Sequence, residues 1–264
     1  MSLQRWQGPA RIVVGGAVVV GLLAWGRQSP PLSYRADHLA CATFLESVRS
    51  EVRSSRGGTV SGESGGRTGR LRIRATGAAA GIRVEVWYDS LDVWRDTPTL
   101  RLSPDTDGLV GGRWRGWLSP EGRVDLETRP FMPPEILEVT DLSELPSDFF
   151  PPLAPASLQV GEEWTDSAGL RIERLPDSSA ARHALGRFRW HRTAITTSDD
   201  PVRITQHTDD QGLVVWAFDR GPMEWNRTVS VDSDVRRGLP DGDPLRGRVD
   251  QLIVVRRLPD LECD

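Results

Sequence analysis

A chain of 264 residues that is 38% hydrophobic can bury the core of one large β domain or of two smaller ones, so length alone does not choose between them. Its net charge of −4 argues against a nucleic-acid partner. The 33 basic residues are all arginine, and in Arg70, Arg72 and Arg74 they alternate with apolar residues, as on the solvated face of a strand.

Arg5 and Arg11 precede an uncharged apolar run from Ile12 to Trp25. At about 1.5 Å per residue this run spans roughly 21 Å, short of a bilayer core of about 30 Å, which fits a secretory signal better than a stable span. Ala24 and Gly26 supply the small residues of a cleavage site. Residues 1–26 therefore read as a signal peptide or N-terminal anchor, and the expected location is the bacterial periplasm or cell envelope. Membrane contact is expected only through this segment. RIVVGG at 11–16 resembles the activated N-terminus of a trypsin-like protease, but it lies inside the signal.

The N-terminal β half, 27–130, opens with Cys41, Phe44, Leu45, Val48 and Val52 at helical spacing; the serine and arginine content also permits a long edge strand, and helix is the favoured reading. GGTVSGESGGRTG at 57–69 reads as a flexible surface loop. Its GESGG is close to a serine-protease nucleophile motif. The only upstream histidine, His38, is too near for a catalytic barrel to form between them, so Ser64 reads as a turn residue. Period-2 alternation then sets in, with Leu71, Ile73 and Ala75 on one face and Ile82, Val84, Val86 and Tyr88 on the next.

Residues 131–160 break the alternation with a proline-rich connector holding a short helix near 135–145. The C-terminal β half, 161–264, resumes it, and Met223, Trp225, Val229, Val231 and Val235 share a face. Hairpin-like stretches from Asp107 and from Gln211 resemble each other, which fits either a diverged duplication or the general likeness of hairpins. The fold class expected is mostly β: antiparallel curved sheets or half-barrels in two similar halves, with one or two short helices.

VGEEW at 160–164, preceded by FFPPLAPAS and followed by strands ending in FDRGPMEW, resembles uncharacterised secreted β-rich bacterial envelope proteins, a domain of unknown function with a mid-chain VGxxW motif. The strand pattern is more distantly similar to periplasmic lipoprotein-carrier half-barrels, whose concave face holds acyl chains. The resemblance implies location and shape and assigns no catalytic residue. Read from the residues alone, Gly161 permits a tight turn and Trp164 starts a strand with a large apolar face.

Cys41 and Cys263 are the only cysteines, and in an oxidising compartment they read as one disulfide that makes the first and last elements neighbours. His38, His183, His191 and His207 are too scattered for a metal site. Asp105, Asp107 and Gly108 echo a calcium loop, but Trp114 stands where its glutamate belongs. No metal, cofactor or catalytic residue is expected. Phe188 with Trp190, and Trp216 with Phe218, place aromatics on shared strand faces; with Trp225 they are the candidate ligand-lining residues for a lipid or other apolar ligand. The rival expectations are an envelope glycan hydrolase using Asp and Glu carboxylates, and a scaffold that assembles through exposed strand edges.

Overall fold

Twelve antiparallel strands form one curved sheet that does not close. The computed structural model describes residues 32–79, 81–180, 183–199, 202–236 and 245–259; the apolar run at 12–25 and Cys263 lie outside them. In chain order the elements are β1 (Ala42–Arg56), β2 (Thr59–Ala78), β3 (Gly81–Asp96), β4 (Arg101–Leu102), β5 (Trp114–Leu118), β6 (Val124–Thr128), α1 (Pro134–Leu137) and α2 (Leu145–Phe149). There follow β7 (Glu163–Thr165), β8 (Arg171–Ala180), β9 (His183–Ser198), β10 (Arg203–Ala217), β11 (Gly221–Arg236) and β12 (Leu245–Arg257). Across the sheet they run β6-β5-β3-β2-β1-β12-β11-β10-β9-β8-β7, with β4 paired to β3.

Two meanders explain this order. The first leaves the centre at β1 and reaches one edge at β6. The connector crosses to the opposite edge, and the second meander returns from β7 to the centre at β12. β1 and β12 then pair from Phe44↔Arg257 to Ser55↔Arg246, and Leu258 N–H donates to the Thr43 carbonyl at 2.8 Å. The halves therefore share one sheet. The hairpins β5–β6 and β10–β11 both belong to this one sheet.

Residues 42–56 are strand, not the favoured helix. The physical reason lies in the spacing: Phe44, Val48 and Val52 are four apart, which places them on one side of a helix and equally on one face of a strand. Leu45, the residue that would widen a helical stripe, is 49% exposed, while Glu46 between Phe44 and Val48 is buried.

The stretch at 57–69 is not a flexible loop either. Only Gly57 and Gly58, with φ of 55° and 84°, make the turn, and the rest belongs to β2. Two of its other glycines leave room for rings lying across the sheet: a Cβ on Gly69 would come within 2.8 Å of the Tyr88 ring, and one on Gly66 within 3.0 Å of the Trp94 ring. Gly212 does the same for Trp190 in the second meander.

One face of the sheet is covered by the connector, which carries two short helices. Ile136, Leu142, Leu145, Phe149, Phe150 and Leu153 are buried against it. Phe149 packs edge-on against Phe44 at 5.5 Å and Trp225 at 4.8 Å between ring centroids; Tyr34, which precedes β1, packs on Phe150 at 5.4 Å and Trp216 at 5.0 Å. Such pairs add about 0.5–1.5 kcal/mol each beyond their area burial.

Gly212→Ala should lower stability by about 1–3 kcal/mol through overpacking against Trp190. Gly62→Ala, whose Cβ would meet only the Val52 carbonyl at 3.7 Å, should leave the melting temperature nearly unchanged. Thermal unfolding of the two variants checks this contrast.

Candidate functional site

Side chains alternate across the strands, so the register separates the covered, concave face from the convex one. The covered face carries Glu46, Val48, Ser50, Val52 and Ser54 on β1 opposite Val255, Ile253, Gln251, Val249 and Gly247 on β12. It continues through Trp225, Arg227, Val229, Val231, Ser233 and Val235 on β11 to Val214, Gly212, Asp210, Thr208, Gln206 and Ile204 on β10.

The connector covers only the end of this face where Phe44, Trp225 and Val255 lie. At the other end Val52, Val229, Val231, Val235 and Val249 are only half-buried, and no described segment lies over them. From the row containing Val231 and Val249 to the hairpin ends, Arg56 at the last position of β1 is the one charge that the central strands β1, β12, β11 and β10 place on the concave face among the described residues. On the convex face the same strands carry Glu51, Arg53, Asp209, Asp232, Asp234, Arg246, Arg248 and Asp250. Arg248 bridges Asp250 at 2.9 Å and Asp232 at 3.5 Å there. One face is built for water and the other is not.

Ion-paired clusters frame the bare valine rows on both flanks. On β2 and β3, Arg95 pairs with Glu63 at 2.8 Å and donates to the Glu138 carbonyl at 2.8 Å. On the other flank Asp210, buried, accepts from Arg227 at 2.8 Å and Arg192 at 3.1 Å, and Arg227 also donates to the Asp148 carbonyl at 2.8 Å. An arginine from each flank thus ties down the connector. Beside the second cluster opens a cavity of about 600 Å³, whose walls include Phe149, Trp164, Leu170, Trp190, Arg192 and Trp225. Burial raises the Asp148 carboxyl above its ordinary value, against the pull of Arg227.

The five aromatics expected to line a ligand site divide. Trp190 and Trp225 border the cavity. Trp216 is 1% exposed and lies between Tyr34 and His38; Phe188 and Phe218 lie under the Arg174 guanidinium at 4.6 and 5.4 Å. Cys41 immediately precedes β1, and Cys263 is outside the described residues. The valine rows and the arginine–aspartate cluster were not among the expected site residues. The signal for the rows was present in TVSVDSDV, where valines take turns with Ser and Asp.

A second polar cluster lies wholly inside. Arg67 donates to Glu46 through two bonds of 3.0 Å, and the Tyr88 hydroxyl donates to the same carboxylate at 2.5 Å. Burial, with the Glu46 charge, holds the Tyr88 phenol well above its ordinary pKa and keeps it a donor. Burial alone would lower the Arg67 pKa, but Glu46 and Tyr88 outweigh it and raise it.

No family model matches the chain, and no curated protein does. Solved structures that the chain partly resembles include one of lipid–protein interactions in lipovitellin, at 10% identity and a TM-score of 0.41 over 84% of this chain and 26% of that one. A putative outer membrane lipoprotein-sorting protein domain from Vibrio parahaemolyticus is 9% identical with a TM-score of 0.15, covering 82% of this chain and 87% of that one. A LolA superfamily protein from Nitrosomonas europaea is 8% identical with a TM-score of 0.14, covering 88% and 90%. The chain spans about a quarter of the lipovitellin chain. Likenesses of this size carry no argument about this chain.

Glu46→Gln should leave Arg67 buried without its counter-charge and cost about 3–5 kcal/mol. Tyr88→Phe removes one hydrogen bond to a charged group and should cost about 1.5–3 kcal/mol. Chemical denaturation of the two variants tests the order.

Proposed function

We propose that the chain is a non-catalytic binding protein of the bacterial envelope that holds an acyl chain on its uncovered concave face, with the neighbouring cavity taking the rest of the ligand. The observation that carries this is the contrast between the two faces of the same strands. A convex face laced with charge is at home in water, whereas valine rows left bare beside it are stabilised by apolar contact. At roughly 25 cal/mol per Å² of apolar area removed from water, an alkyl chain laid along these rows gains several kcal/mol without a hydrogen-bonding partner. Two of the carboxylates bordering the cavity, Asp210 and Asp166, give less support to a glycan hydrolase. Asp210 is held by two arginines, and Asp166 accepts from the backbone N–H groups of Ala168 and Leu170 at 2.8 Å.

Titration of the protein with a pyrene-labelled fatty acid tests the reading. The wild type should bind it, and Val231→Asp, which plants a carboxylate among the valines, should weaken binding about tenfold or more. Absence of binding, or equal binding by the variant, would overturn the proposal.

The proposal includes export and a Cys41–Cys263 disulfide. Pairing of β1 with β12 supports the disulfide by bringing residue 258 onto residue 43, two positions beyond Cys41. Reduction should then lower stability by about 2–5 kcal/mol. Two free thiols in denatured, unreduced material would refute the bond.

A further inference from the structure

β9 has a strand on each side only as far as His191, where Arg171 is its last partner on β8. From Arg192 to Ser198 it pairs with β10 alone among the described residues. All of these residues are exposed, Ile195 to 69%. A bare row of N–H and C=O groups is a template for another strand, and proteins ordinarily blunt it with charge, proline, brevity or a covering element. The outer edges of this sheet are blunted in that way. β7 is three residues long and carries Glu163; β6 alternates Asp125 and Glu127 and lies against α2. Thr193–Ser198, TAITTS, has none of these guards: it contains no charge and no proline, and Thr193, Ile195, Thr196 and Thr197 are all β-branched. A groove of about 570 Å³ whose walls include Thr193, Ile195, His207 and Asp209 runs beside it.

We propose that Thr193–Ser198 is a self-association edge, paired antiparallel with the same segment of a second copy of this chain. A two-fold axis through Ile195 sets Thr193 opposite Thr197, Ala194 opposite Thr196 and Ile195 opposite its own copy, and no register of this uncharged run on itself places like charges opposite each other. Another bare stretch, Thr59–Glu63 of β2, has β1 as its only neighbour among the described residues. Joining it to β9 of another copy would be head-to-tail and open-ended, whereas β9 on β9 closes as a dimer. Ala194 lies beside Thr208 and, beyond it, Val231, so the pairing carries the concave face across the seam into the second copy. Six residues span about 20 Å, a short contact that makes the dimer depend on concentration. The pairing does not depend on whether that face holds a ligand.

Sedimentation velocity of the full chain over a micromolar-to-millimolar series tests this, alongside Ile195→Lys and Thr197→Lys. Both side chains are exposed, so circular dichroism and melting temperature should be unchanged. The wild type should show a monomer–dimer equilibrium, with the dissociation constant about tenfold or more higher in each variant. Amide exchange over 193–198 should slow as wild-type concentration rises. A wild type that stays monomeric throughout, a dimer that both variants form equally well, open-ended polymers, or exchange that ignores concentration would each overturn the proposal.

Discussion

A sheet this wide cannot leave both faces to water, and the means of covering one of them shapes the rest of the molecule. The chain supplies the cover from its own middle. Because the first meander ends at one edge and the second begins at the other, the linking segment has to cross the concave side, and its prolines keep it from becoming another strand. Phe149 and Phe150 make that crossing adhesive, seated among Phe44, Trp225 and Tyr34.

The same cover is shorter than the strands beneath it. β1, β11 and β12 run on past it, and their inward residues stay uncharged until Arg56 at the very end of β1. A sheet with no use for that surface would be expected to decorate both faces alike once the plug ends. The ion pairs of Glu63 with Arg95 and of Asp210 with Arg227 and Arg192 stand where the cover stops, which lets the connector end in satisfied carbonyls and not in orphaned ones.

Much of the architecture was legible from alternation alone, since apolar residues two apart fix both the strand and the face it buries. The errors had physical causes. Phe44, Val48 and Val52 fit both periods, and only the exposure of Leu45 separates them. The glycines at 66 and 69 look like a loop in sequence because the rings that require them, Trp94 and Tyr88, come from a neighbouring strand. The aromatics attracted attention as ligand contacts, yet most fill the core, and the quieter valines form the open surface. Pairing of Asp210 with Arg192 and Arg227 spans two neighbouring strands and leaves no local signature.

The seam between β1 and β12 sets the order of events in the life of the chain. Among the described strands, the one that completes the middle of the sheet is synthesised last and its partner first. Until β12 arrives, each meander has an unpaired inner border, and the contacts around Phe44 lack Val255 and Ile253. Topologies dominated by such distant pairings mature slowly. A chain of this design cannot close the middle of its sheet until β12 is made.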